Sequence, residues 1–297
     1  MALFTGLAAY PITPADADGV VDTLTLRRLV RRLVDAGVDS IGLLGSTGTY
    51  AYLTRGERLR AIEAAVDEAA GRTPVMAGIG ALRTDAALAL TKDAKAAGAG
   101  AGLLAPVSYT PLTDEEVFAH YQTVAGESGL PICIYNNPST THFTFSPALV
   151  QRLAAVPGIV AVKNPAPAAA DVAAHLADLR GRVPTGFSLG YSVDAASAEA
   201  MIAGGDVWHS VLAGLCPEAP LAICRAARAG EAAEARRVNT RLKPIWDLFT
   251  RHGGLRVVYA AATLMGLSSA QPPRPILPLE ETETAKVGEA FRAAGLI

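Results

Sequence analysis

Along the first two thirds of the chain, short unbroken apolar runs alternate with longer stretches in which apolar positions recur every three to four residues. The runs at 6–10, 40–44, 75–79, 101–105, 131–135, 159–163, 183–187 and 207–211 have the length of strands buried on both faces, which keep no polar side. The stretches at 24–36, 55–70, 85–97, 114–127, 147–154, 168–179 and 194–203 carry the period of amphipathic helices, and an eighth follows at 217–229. Thr54 with Glu57, and Thr113 with Glu116, have capping-box spacing, while Ala36-Gly37 and Ala97-Gly98 read as helix ends. Eight strand–helix units predict an α/β fold, a (β/α)8 TIM barrel. The competing architecture, a doubly wound open sheet, carries a Gly-rich phosphate loop after its first strand. No such loop stands here, and Gly78-Ile79-Gly80 is long enough only for a strand-to-loop turn.

After residue 230 the pattern turns to helices alone, at 231–249, 255–265 and 281–294, with a Pro-rich break at 271–278. A barrel over 1–229 and a C-terminal helical domain over 230–297 are expected to pack together, because no stretch of linker composition separates them. Half the residues are hydrophobic (51%) and only 6% aromatic, so the core must be built from Ala, Val, Leu and Ile. A net charge of −2 leaves no basic face for nucleic acid and no polybasic run for anionic membranes. Arg27-Arg28 and Arg31-Arg32 read as a solvated helix face. No apolar run approaches the ~18 residues of a membrane span. The N-terminal stretch lacks a basic n-region and is interrupted by Pro11 and Pro14, so no signal peptide is expected. Cys133, Cys216 and Cys224 have neither zinc-site spacing nor an even count, and read as reduced thiols of a cytoplasmic protein.

In such a barrel the C-terminal strand ends converge on one mouth. There the chain supplies Gly45-Ser46-Thr47-Gly48, Pro106-Val107-Ser108-Tyr109, Tyr135, Lys163 and Trp208-His209-Ser210. Lys163 closes the apolar run 158–163, and an amine in a dry barrel mouth becomes a nucleophile able to condense with a ketone. Tyr135 ends the neighbouring strand and offers a weak acid. Ser46 and Thr47 sit in a Gly-flanked turn whose hydroxyls and N–H groups suit a carboxylate. Each residue alone also has a structural reading. Lys163 could pair with a loop carboxylate, Tyr135 could be ordinary core, the Gly-flanked segment a simple turn, and His209 a satisfied core histidine.

Taken in order, these motifs resemble those of the dihydrodipicolinate synthase/N-acetylneuraminate lyase family of pyruvate-dependent class I aldolases, over nearly the whole chain. Gly45–Gly48 resembles the family's carboxylate-binding loop, Tyr135-Asn136-Asn137-Pro138 its Tyr-Asn-x-Pro motif, Val162-Lys163 its Schiff-base strand, and 204–217 its strand-eight region. The resemblance implies a homotetramer, a dimer of dimers, using no metal or organic cofactor. It implies that Lys163 forms an imine with pyruvate or another 2-oxo acid, that Tyr135 is the general acid/base, and that Ser46 relays protons. Thr47 and Gly48 would hold the carboxylate, with Tyr109, Thr140 and His209 as further substrate-side candidates.

The departures bear on the second reactant. Thr49 replaces the family loop's glutamate, and Thr140 stands where the synthases carry an arginine that grips the aldehyde's carboxylate. Ser108 occupies the place of the relay's second tyrosine, with Tyr109 one position later. The expectation is a Schiff-base lyase or aldolase with an altered aldehyde-side pocket rather than the lysine-pathway condensation. Its rivals are a 2-keto-3-deoxy sugar acid dehydratase of the same family and a non-catalytic barrel descended from it. Metal-dependent aldolase chemistry finds no evident His/Asp/Glu set.

Overall fold

The computed structural model describes residues 4–297 of the chain. Among the described residues, eight parallel strands close into a barrel in chain order. They are β1 (Gly6–Ala9), β2 (Ser40–Leu43), β3 (Val75–Gly78), β4 (Ala101–Leu104), β5 (Ile132–Tyr135), β6 (Ile159–Pro165), β7 (Ser188–Ser192) and β8 (Val207–Ser210). Closure comes from β1 pairing with β8, with Leu7 beside Trp208 and Ala8 beside His209. The outer ring comprises α1 (Thr23–Ala36), α2 (Arg55–Ala69), α3 (Thr84–Ala96), α4 (Asp114–Ser128), the single turn α5 (Pro138–Thr141), α6 (Pro147–Ala154), α7 (Val172–Arg180), α8 (Asp194–Ile202) and α9 (Glu218–Arg228). Four helices follow, α10 (Ala232–Arg241), α11 (Lys243–His252), α12 (Gly254–Leu264) and α13 (Glu281–Ala293). The (β/α)8 barrel with a C-terminal helical extension is therefore observed as expected.

The apolar residues divide into two buried groups. One lies between strands and helices and is rich in Leu, Val, Ile and Ala. The smaller group fills the barrel and includes Ala8, Tyr10, Met76, Leu103, Cys133, Tyr135 and Ala161. Small residues on several strands make room there for the two tyrosine rings.

Local signals behave unevenly. Thr113 and Glu116 form the full reciprocal capping box at the start of α4. Thr54 caps α2, but the Glu57 carboxylate turns away to accept from the Val21 N–H at 2.7 Å, tying the first loop to the second helix. The seventh strand lies at Ser188–Ser192, not at 183–187. Pro184 offers no N–H for a ladder and Gly186 adopts φ +88°, so the apolar run there is a turn. The helix expected over 231–249 is two helices. Leu242 closes α10, and Pro244, in the first turn of α11, cannot continue an i→i−4 ladder.

α10 lies across α8 and α9, and α11 contacts α8. That docking swings α11 and α12 toward the C-terminal mouth of the barrel, where they meet the strand ends.

Candidate active site

Strand register sets the centre of the site. Tyr135 and Lys163 are Cα partners on β5 and β6, and Lys163 is in turn opposite Gly190 on β7. Both side chains are buried and point into the mouth. The Lys163 Nζ lies 3.8 Å from the Tyr10 ring centre and 4.3 Å from that of Tyr135. Among the described residues Lys163 forms no salt bridge, so the loop-carboxylate reading of this lysine does not hold. The amine thus faces two aromatic rings rather than a carboxylate.

The Tyr135 hydroxyl belongs to a short polar chain. It meets Ser46 Oγ at 3.1 Å and accepts from Asn137 Nδ2 at 3.1 Å. The same Asn137 amide donates to Thr140 Oγ1 at 2.7 Å. Asn137 therefore joins the Ser46–Tyr135 pair to Thr140. An amine with no ion-pair partner, beside linked hydroxyls, is suited to carbonyl addition with proton transfer.

Tyr10 and His209 form the floor. The Tyr10 hydroxyl lies 2.9 Å from His209 Nδ1 and their rings meet edge-on. Burial, and secondarily the Lys163 charge, push His209 well below its ordinary pKa. Burial likewise pushes Tyr10 well up, reinforced by Cys133 and Tyr135. A neutral imidazole accepting from a protonated Tyr10 leaves its own proton on Nε2, which has no hydrogen-bond partner. The pair fits only because of two glycines. A Cβ at Gly42 would come within 2.2 Å of the Tyr10 ring, and one at Gly190 within 2.4 Å of His209 Nε2.

Asp194 opens α8 inside the same wall. It accepts from Trp208 Nε1 and from the Leu212 N–H, each at 2.9 Å, and from Ser210 Oγ at 3.3 Å. Burial raises its pKa to about 6 despite those donors. The residue before it, Val193, holds φ +69°, a strained conformation for a β-branched side chain.

Above Lys163 opens a cavity of about 580 Å³, lined by these strand ends and by Trp246, Phe249 and Leu255 of α11 and α12. Of the residues singled out in the sequence, Lys163, Tyr135, Ser46, Thr47, Thr140 and His209 all line it. Gly48 does not; it packs against Leu44 and Thr13. Tyr109 is 97% exposed and lies outside the cavity wall. Thr49 is buried on the cavity wall, and the Tyr259 hydroxyl of α12 donates to the nearby Thr13 carbonyl at 3.5 Å. Sequence reasoning missed Tyr10, Asn137, Asp194 and Trp246. Tyr10 ends the first predicted strand, the same signal that singled out Tyr135; Trp246 reaches the site only through helix docking.

The three cysteines are free and buried, and burial raises each thiol to about 12. Among the described residues no helix is long and apolar enough to cross a membrane.

Comparison with known proteins accords with this geometry. The dihydrodipicolinate synthetase family model matches residues 3–294. The 4-hydroxy-tetrahydrodipicolinate synthase of Methylococcus capsulatus is 38% identical over 286 residues, covering 96% of this chain and 97% of its own. A crystal structure of dihydrodipicolinate synthase from Agrobacterium tumefaciens superposes with a TM-score of 0.96 at 56% identity, covering 98% of each chain. That of the chloride-inhibited Acinetobacter baumannii enzyme, complexed with pyruvate, gives 0.91 at 30% identity over 99% of this chain and 100% of its own. A closed barrel with a buried lysine near the C-terminal end of β6, matched at this identity along almost its whole length, leaves one conclusion: the chain belongs to the dihydrodipicolinate synthetase family and is a lyase of the dihydrodipicolinate synthase type.

Proposed function

We propose that this enzyme works through a Schiff base on Lys163. The amine adds to the ketone of pyruvate or another 2-oxo acid and water leaves, forming a protonated imine. Loss of a C3 proton then gives an enamine, which attacks an aldehyde carbon while the aldehyde oxygen takes up a proton. Water addition to the imine releases a 4-hydroxy-2-oxo acid and regenerates the amine; cleavage runs the same steps backwards. The observation that carries this reading is a buried lysine without a salt bridge, set between the Tyr10 and Tyr135 rings.

Tyr135 serves as general acid/base, and its bond to Ser46 gives the proton a path. Thr47 and the adjoining turn hold the 2-oxo acid's carboxylate. The neutral Tyr10–His209 pair forms a floor that follows the reacting carbons without adding charge. On the aldehyde side the pocket is altered: Thr140 is engaged by Asn137, and among the described residues no arginine lines the cavity. Assembly into a homotetramer in the cytoplasm belongs to the same proposal, supported by the exposure of Tyr109, which leaves it free to meet another subunit. The division into a barrel over 1–229 and a helical domain over 230–297 is likewise proposed, with α11 and α12 closing the barrel's site.

Incubation with pyruvate, borohydride reduction and peptide mass spectrometry tests the reading. A reduced adduct on Lys163 supports it. Well-folded protein that yields no adduct with pyruvate or with larger 2-oxo acids refutes it.

A further inference from the structure

We propose, building on the imine reading above, that the second reactant is an uncharged aldehyde carrying an apolar chain or ring, seated against Trp246, Phe249 and Leu255. The charge on the cavity wall argues for this first. Among the described residues that line it, Lys163 is the only lysine or arginine and Asp194 the only carboxylic acid. Lys163 is taken up by the imine. Asp194 is engaged by Trp208, Ser210 and the Leu212 N–H, and its group repels an incoming anion rather than holding it. A second carboxylate brought here would shed its water and find no cation in exchange.

The shape and chemistry of the far wall give the positive half of the argument. Trp246 is buried and its indole N–H is already spent on Asn239 Oδ1 at 3.0 Å, so what it offers a ligand is carbon. Phe249 meets it edge-to-face with ring centres 5.6 Å apart, and Val193, Val211 and Leu255 continue the surface. The same cavity is lined by Ser46, Tyr135 and Asn137, beside Lys163, which suit the carbonyl oxygen and the hydroxyl it becomes. The site is thus polar where the bond forms and apolar beyond it. Pyruvate alone would leave most of the ~580 Å³ empty, and pockets of such size usually enclose their ligand.

The test uses the full chain with pyruvate and two aldehydes of similar length, hexanal and succinate semialdehyde, following 4-hydroxy-2-oxo acid formation by mass spectrometry. Hexanal is expected to show a kcat/KM higher by about tenfold or more, the scale on which apolar pockets discriminate. Trp246→Ala should erase that preference through KM, and Thr140→Arg should raise turnover of the semialdehyde. Borohydride trapping with pyruvate alone is run in parallel. If Lys163 is labelled but the semialdehyde reacts as well as hexanal, or neither aldehyde reacts, this inference is overturned and the imine reading stands. If no adduct forms, both fall. The wild-type comparison decides the matter even where a variant fails to fold.

Discussion

The Tyr10 hydroxyl and His209 Nδ1 meet at 2.9 Å inside the barrel, and the Lys163 amine rests 3.8 Å above the Tyr10 ring. Two residues 199 positions apart thus shape the surface on which the reactive amine sits. The two halves of that contact are separable. Tyr10→Phe keeps the ring beneath the amine but leaves His209 without a partner, and should cost about 1–3 kcal/mol of stability with pyruvate trapping retained. Tyr10→Ala also removes the ring and should cost about 3–5 kcal/mol. Denaturant unfolding of both variants, with borohydride trapping alongside, checks this; equal losses would mean that the ring carries nothing beyond the hydrogen bond.

Tyr135→Phe removes the hydroxyl shared by Ser46 and Asn137 while keeping a ring beside Lys163. If Tyr135 is the principal acid/base, turnover should fall by about 10²–10⁴. Ser46→Ala should fall less, because Asn137 still orients the phenol. Steady-state rates of the two variants decide, and a Tyr135→Phe enzyme at full speed would remove Tyr135 from the mechanism.

Lys163→Ala and Lys163→Arg should both abolish adduct formation and turnover. Arginine keeps a charge in place but does not deprotonate to attack a carbonyl. Circular dichroism should show the barrel intact in both. Residual trapping in either variant would locate the imine on another lysine.

The stability of the fold should depend on pH through Asp194. Its folded pKa of about 6 lies above the ~3.9 of an unfolded aspartate. The native state therefore holds this proton more tightly between those two values. Its contribution is fully present below the unfolded value and is lost as pH rises through the folded one, on the order of 2–3 kcal/mol. His209 acts in the opposite sense: with its folded pKa depressed, its contribution is present above ~6.5 and lost as pH falls. Unfolding free energies from pH 4 to 7 should lose the Asp194 component in Asp194→Asn and keep the His209 component. An unchanged profile in that variant would show that Asp194 does not titrate in this window.

Strand positions were legible in the chain wherever burial on both faces demanded a continuous apolar run. Lys163 and Tyr135 stood out because they close two such runs, and parallel register then sets them side by side. The rule failed at β7, where Ser188, Gly190 and Ser192 build a strand from small and polar residues. Gly190 is small because His209 occupies the space beside it, and that demand comes from another strand, not from local pattern.

By itself, then, the sequence determined the strand–helix alternation and the chemistry at the strand ends, since both follow from short-range period and burial. Tertiary structure alone decided that Tyr10 and His209 pair beneath the lysine, that Ser46 meets the Tyr135 hydroxyl, and that Tyr109 stands outside its own cavity. It also decided that Trp246 and Phe249 wall the far side of the site. Those contacts join segments far apart in the chain, and they exist only once barrel closure and helix docking have brought the segments together.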